Sequence, residues 1–323
     1  MEKSKEVNSI LAFLESWTGE VDFYQSAKKY LFEEKLFPNS KDSFLEKGNY
    51  LSFQKDLQKL SSLSHGMDLA MCLMVEINVA RTILRKGQTK CAKHSLEMLS
   101  LGQETFATGV SEPNWEGNLK NLKSPSLEGT LTATKSFISN GFSADSILWV
   151  LKIGDQFPVY RIPMKSPAVE FQKERVVVPF LPLCNHMKLH LENYHLTSES
   201  LVLEDYGDLG IEIRLRELFS LVSLLLGDTE RKNYVNLDQS IQFAWKTLED
   251  WRDEVAYSLV EGDFRRILED KFPFPIKPLL DAIQNTREIS MGKTLIDVDP
   301  NYQMFVWEDP FTRYLKRKAR RNN

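Results

Sequence analysis

Residues 106–145 read FATGVSEPNWEGNLKNLKSPSLEGTLTATKSFISNGFSAD, and this stretch decides the fold. Phe106 to Val110 is short, mostly apolar and compatible with a strand, and it stops at Ser111-Glu112-Pro113. A loop containing Gly and Asn follows at Asn114 to Asn118. A second turn at Leu127 to Gly129 leads into Thr130 to Ile138, where threonines with aromatic and branched residues favour a strand over a helix. Asn140-Gly141 makes a tight turn, and Ser146 to Ile153 is the next apolar strand.

The strand-like region continues downstream. Val159 to Pro163, Val169 to Phe171, Val176 to Leu183 and Met187 to Asn193 are strand candidates. Pro158, Pro163, Pro167, Pro179 and Pro182 confine their positions to edges, ends or bulges. Upstream, the chain reads as helical. Ile10, Leu11, Leu14 and Trp17 recur at helical spacing, as do Leu51, Phe53 and Leu57. Met67 to Leu84 is apolar on more than one side, which predicts a helix buried between neighbours. Lys86-Gly87 ends it, and Thr89 is placed to cap the helix that leads to Gly102. Beyond Gly210 the chain turns helical again. Ile211 to Leu226 is the most apolar segment, and Gly227 is placed to close it. Leu237 to Leu259 is a second helix, and shorter ones are expected at Phe264 to Leu268, Lys277 to Ile289 and Phe311 to Arg320, separated by prolines.

A chain of 323 residues with 42% hydrophobic and 27% charged residues is long enough for two or three domains of ordinary globular composition. The net charge of −4 argues against a nucleic-acid binder. Cys72, Cys91 and Cys184 are scattered without metal-ligand spacing, so neither zinc nor a disulfide framework is expected, and a reducing cytoplasm fits best. His186, His190 and His195 alternate without acidic companions, and no metal is expected there. No stretch approaches the roughly 20 apolar residues that span a bilayer, so no membrane insertion is expected.

Three motifs stand in order. They are Thr108-Gly109-Val110-Ser111-Glu112-Pro113, Lys135-Ser136-Phe137-Ile138-Ser139-Asn140-Gly141, and Ala144-Asp145 before an apolar strand. Together they resemble the middle β-domain of the acyl-CoA dehydrogenases, a flavoprotein family that typically shows Thr-Glu-Pro, Lys-x-Trp-Ile-Thr-Asn-Gly and Ala-Asp. The resemblance is clear for roughly Ser95 to Gly227. It implies a helical N-terminal domain at residues 1–105, a β-barrel-like middle domain at 106–205 and a shortened helical-bundle C-terminal domain at 206–323.

The resemblance also implies a cofactor and a reaction. FAD would be bound, and an acyl-CoA thioester, or alternatively an acyl-carrier thioester, would be oxidised to the enoyl thioester. Electrons would pass to an electron-transfer partner. Thr108, Val110 and Ser111 match positions that contact the flavin ring, and Phe137 and Ser139 match the family's aromatic and Thr beside it. Phe137 lacks the indole N–H of the Trp it replaces. Gly117 lies in a loop that, in the family, approaches phosphate and acyl-thioester groups through backbone N–H groups. Here that loop reads Asn114-Trp115-Glu116-Gly117-Asn118, and Glu116 would repel a pyrophosphate.

The reaction needs a carboxylate base. Glu217 stands ten residues before Gly227, the family spacing for one location, with Ile213, Leu221 and Leu224 as apolar helical neighbours. The bland alternative pairs Glu217 with Arg214. Glu308, in Trp307-Glu308-Asp309-Pro310, is the other location. The Arg-x-x-Phe-Gly and Gly-Gly-x-Gly segments that help hold the adenosine half of FAD are missing. A non-catalytic paralogue serving as a binding or partner subunit is therefore the rival reading. The reduced C-terminal bundle is expected to leave part of Ile211–Leu226 uncovered, and hence to favour a homo- or hetero-oligomer.

Overall fold

The computed structural model describes residues 7–19, 22–37, 49–125, 129–165, 171–207, 209–262, 264–286 and 293–306. Helices lead: α1 (Val7–Ser16), α2 (Phe23–Glu33), α3 (Asn49–Ser61), α4 (Gly66–Val75), α5 (Thr82–Lys86) and α6 (Lys90–Ser100). Strands follow: β1 (Phe106–Gly109), β2 (Thr130–Ile138), β3 (Ser146–Val150), β4 (Val159–Pro163), β5 (Gln172–Arg175), β6 (Met187–His195) and β7 (Leu201–Leu203). The chain ends in α7 (Leu209–Arg231), α8 (Gln239–Glu261), α9 (Phe264–Asp270), α10 (Lys277–Gln284), α11 (Leu295–Val298) and α12 (Gln303–Val306). Helical parts thus flank a small sheet domain, in the order expected from the sequence.

The middle is built from two sheets, ordered β1-β3-β4-β7 and β2-β6-β5. β1 runs parallel to β3 with Phe106 opposite Ser146, whereas β2 and β6 are antiparallel. Side chains alternate across each strand, so a strand can serve two cores. Ala107, Ile147, Trp149, Leu131 and Leu189 fill the core between the sheets. Phe106, Leu148 and Val150 face the other way, into the large core shared with the helices.

Helices from both ends of the chain build that large core. α4 and α5 are joined by a π-helical turn, Glu76–Arg81, and every residue from Met67 to Leu84 is buried, as its all-round apolar character predicts. Gly87 ends this run, and Thr89 caps α6 by accepting from the Ala92 N–H at 3.0 Å. α7 packs along α3. Its Leu215, Phe219, Val222, Leu224, Leu225 and Leu226 are each 0% exposed, whereas Ile211, Leu218 and Leu221 are half-buried, so the part of this helix expected to be uncovered narrows to those three. The covering surface comes from α3, α4 and α8.

Two further expectations are corrected. Gly227 does not close α7, which continues to Arg231. The glycine serves a close approach instead: a Cβ there would lie 2.1 Å from the Gln58 carbonyl oxygen on α3. Residues 176–183 do not form a strand. Leu181 has φ 49°, and Leu181 and Cys184 are buried. The segment is held by the Leu181 N–H donating to Asn301 Oδ1 and the Leu183 N–H donating to Asp68 Oδ1. The strand here is β5, slightly earlier, with all four residues exposed. Phe311 to Arg320 lies outside the described residues, as do most of Val169 to Phe171 and the end of the Lys277 to Ile289 helix candidate. Among the described residues no helix is long and apolar enough to cross a membrane.

Candidate functional site

The start of β1 is clamped from the helical side. Glu76, on the π-helical turn and 0% exposed, accepts from the Phe106 N–H at 2.9 Å, from Lys28 Nζ at 2.9 Å and from the Tyr24 hydroxyl at 2.6 Å. Lys28 Nζ also donates to the Glu104 carbonyl and to Thr105 Oγ1. A buried carboxylate with this many donors is fully compensated. It fixes where β1 enters the sheet. Single π turns inside α-helices often mark functional ground.

The far end of β1 is clamped from the sheet side. Lys135 on β2 is 0% exposed, and its Nζ lies 2.7 Å from Glu112 Oε1 and 3.0 Å from the Val110 carbonyl oxygen. The ammonium also sits over the Trp149 ring, 5.1 Å from its centroid. Glu112 Oε2 accepts from the Lys123 N–H at 2.8 Å. Burial brings the Lys135 pKa down to about 8, against the opposing pull of Glu112. Gly109 permits the approach, since a Cβ there would meet Lys135 Cγ at 2.9 Å. Neither Lys135 nor Glu112 was singled out from the sequence as a site residue. The signal was available, because Glu112 belongs to the first and Lys135 to the second of the three motifs that carry the resemblance.

This clamp brings the strand ends together. The Ser136 N–H donates to the Ser111 carbonyl oxygen at 2.8 Å, and the Ser111 hydroxyl reaches the Phe137 carbonyl oxygen at 3.4 Å. The β2–β6 register slips between Lys135 and Ile138, so Ser136 and Phe137 sit in an irregularity. Thr108, Val110, Ser111, Phe137 and Ser139 are each half-buried. Two hydroxyl oxygens here, Thr108 Oγ1 and Ser136 Oγ, are buried without a hydrogen-bond partner. Asn140, with φ 59°, turns the chain and donates through Nδ2 to the Cys72 carbonyl oxygen at 2.9 Å.

Phe137 stacks on His186, with ring centroids 4.5 Å apart and planes 29° from parallel. His190 meets the Thr134 hydroxyl at 2.8 Å, and His195 is exposed. The three histidines have separate surroundings.

The other predicted positions lie apart from this cluster. Gly117 is on an exposed loop, with nothing within 4 Å of where a Cβ would stand. Its φ is 72°, and Asn114 and Glu116 are also left-handed, at 64° and 53°. Glu116 is exposed. Glu217 is half-buried on α7, with Oε2 3.8 Å from Arg214 Nη1. The Tyr206 hydroxyl is beside it, its pKa raised by burial and by Glu217. The neighbouring Arg216 points inward, 1% exposed, to Glu212 at 3.1 Å and the Leu259 carbonyl oxygen at 3.1 Å. Glu308 lies outside the described residues.

The residues present fit the ring end of FAD better than its phosphate end. A half-buried aromatic, Phe137, preceded in the chain by the unpartnered Ser136 hydroxyl, suits a planar polar ring. The exposed Glu116 carboxylate does not suit a pyrophosphate.

No protein-family model matches the sequence, and no curated protein does. Solved structures do match in shape. One is a glutaryl-CoA dehydrogenase from Mycobacterium smegmatis in complex with FADH2, with a TM-score of 0.66 at 13% identity over 95% of this chain and 90% of that one. The prolyl acyl carrier protein oxidase AnaB gives 0.64 at 14% identity, over 87% of this chain and 85% of that one. Butyryl-CoA dehydrogenase from Megasphaera elsdenii gives 0.58 at 17% identity, over 95% and 89%. The chain has the acyl-CoA dehydrogenase fold. At these identities the likeness establishes the fold and leaves the activity to the site.

Proposed function

We propose that this chain is an FAD-dependent oxidoreductase of the acyl-CoA dehydrogenase type, converting an acyl-CoA thioester to the α,β-enoyl thioester. One observation carries the reading: within this fold, Ser111 and Phe137 meet at the joined ends of β1 and β2. Val110, Ser111, Phe137 and Ser139 would hold the flavin ring, with Thr108 beside them, and Gly117 would approach the phosphates. Bound FAD would supply the acceptor for the β-hydride, and an electron-transfer partner would reoxidise it. Glu217 would take the α-proton, with Glu308 as the alternative base. A carrier-bound acyl thioester is the alternative substrate, and the likeness to AnaB, a prolyl acyl carrier protein oxidase, supports it. Cytoplasmic location and a homo- or hetero-oligomer complete the reading.

A second reading, a non-catalytic paralogue acting as a binding subunit, draws on two observations. Glu116 is exposed at the phosphate end. The seam between α3, the π-helical turn and α7 is also polar, with Gln54, Asn78, Ser220 and Ser223 hydrogen-bonded to one another inside it. Purification with FAD supplied, followed by desalting and a visible spectrum, separates the two. The enzyme reading expects a yellow protein that bleaches when acyl-CoA or an acyl-carrier thioester is added. A colourless protein that releases no flavin on denaturation supports the second.

A further inference from the structure

His186 has no assigned role in the reading above, and its surroundings set it apart. It is 4% exposed, directly before β6. Its backbone is satisfied: the N–H donates to the Cys184 carbonyl oxygen at 2.8 Å, and its carbonyl accepts from the Val176 N–H at 3.0 Å. Its ring is not. Nδ1 and Nε2 are both buried, and neither has a hydrogen-bond partner among the described residues. Burial lowers the ring's pKa to about 4, so the imidazole is neutral at pH 7, with one N–H donor and one bare nitrogen acceptor. Native proteins rarely bury such a pair unmet.

The ring's one aromatic neighbour among the described residues is Phe137, the side chain placed to face the flavin. Phe137 supplies apolar surface and no donor. His186, stacked on it at 4.5 Å, holds a donor and an acceptor at the same place. The Ser136 hydroxyl, next in the chain to Phe137, is likewise without a partner. The two ring nitrogens point in diverging directions, so one of them at a time can meet a heteroaromatic edge, its N–H donating to a carbonyl or its bare nitrogen accepting from an N–H. The pyrimidine-dione half of a flavin has such an edge.

We propose that Phe137 and His186 act as one unit toward the bound ring, with Phe137 giving the packing surface and His186 hydrogen-bonding the ring's carbonyl/N–H edge. This rests on the flavin reading. Both ring nitrogens are buried and one ring face is taken by Phe137, so contact requires a side chain over His186 to move, and the stacked Phe137 ring is placed to do so. The register slip of β2 between Lys135 and Ile138 places Phe137 where the ladder is already interrupted.

The test uses the full-length protein and FAD. Wild type is titrated with FAD first, and absence of binding overturns both this proposal and the flavin reading. Where wild type binds, His186→Phe keeps an aromatic stack and removes both nitrogens. It is expected to weaken FAD binding about tenfold, the size of one lost hydrogen bond, and to shift the bound flavin's visible band, with the unfolding midpoint little changed. Equal affinity and an unmoved band overturn the His186 proposal and leave the flavin reading standing. If His186→Phe fails to fold, imidazole nitrogen NMR on wild type decides. A His186 signal that moves on adding FAD supports the contact, and a signal that stays in place overturns it.

Discussion

Replacing Gly227 by Ala should destabilise the protein, against the usual trend for a helix interior. At an exposed helical site the change gains about 1 kcal/mol. Here the new Cβ would lie 2.1 Å from the Gln58 carbonyl oxygen and 2.9 Å from Ser61 Cβ. Carbon–oxygen contacts settle at about 3.3–3.6 Å, so α3 and α7 would have to part by more than about 1 Å. That movement pulls on the seam's hydrogen bonds. Ser61 Oγ donates to the Leu224 carbonyl at 2.7 Å, Gln54 Nε2 to Ser220 Oγ at 2.9 Å, and Ser223 Oγ to Gln54 Oε1 at 2.8 Å. Each is worth about 1 kcal/mol net, and overpacking adds about 1–3 kcal/mol. After the propensity gain, a net loss of about 3–5 kcal/mol remains. For a chain of 323 residues, thermal unfolding should show the midpoint lowered by about 4–7 °C. A Gly227→Ala protein as stable as wild type, or more so, would refute the close approach of these helices.

Three more outcomes follow from the site. Lys135→Met strands the Glu112 carboxylate and should cost about 3–5 kcal/mol in denaturant unfolding, while Lys135→Met/Glu112→Leu recovers most of it; equal losses in both variants would show that the ion pair is not the cause. Glu116→Gly removes an exposed charge and suits the left-handed backbone at φ 53°, so FAD affinity should rise several-fold, and more at low salt than at high; an unchanged dissociation constant at both salt levels counts against a phosphate near this loop. Glu217→Gln should keep bound flavin yet slow its reduction by substrate roughly 10²–10⁴-fold. Reduction lost only in Glu308→Gln moves the base to the C-terminal segment, and full reduction in both variants places it elsewhere.

Regular patterning made much of this architecture legible. Thr130–Ile138 emerges as β2 with those same limits because its turn signals and composition agree. The all-round apolar run from Met67 emerges as a buried helix for the same reason. The misses have specific physical causes. β5, Gln172–Arg175, carries no apolar residue and is a strand only through its ladder to β6. Of the apolar residues after it, Phe180, Leu181 and Leu183 join the helical core as irregular chain held by Asp68 and Asn301, partners far away in sequence, while Val177 is 85% exposed. Gly227 looked like a helix stop because a contact with Gln58 cannot be seen from one helix alone. His186 was grouped with His190 and His195 by spacing, although its neighbour is Phe137, 49 positions earlier by number (186 − 137).

The alternation of β1 gives the candidate site two separate supports. Ala107 and Gly109 turn toward the sheet sandwich, where Lys135 and Glu112 hold the Val110–Glu112 turn. Phe106 turns toward the helical core, the same core that seats α7 and with it Glu217. The sheet clamp under Ser111 and Phe137 and the proposed base therefore depend on different packing, while Val110 also packs against the helical core. A perturbation of the α3–α7 seam, such as Gly227→Ala, should disturb proton abstraction before it disturbs FAD binding. Loss of Lys135 should do the reverse, loosening Ser111 and Phe137 while α7 stays in place. If both changes lowered FAD affinity alike, the two cores would be acting as one, and the ring end could not be assigned to the sheet clamp alone.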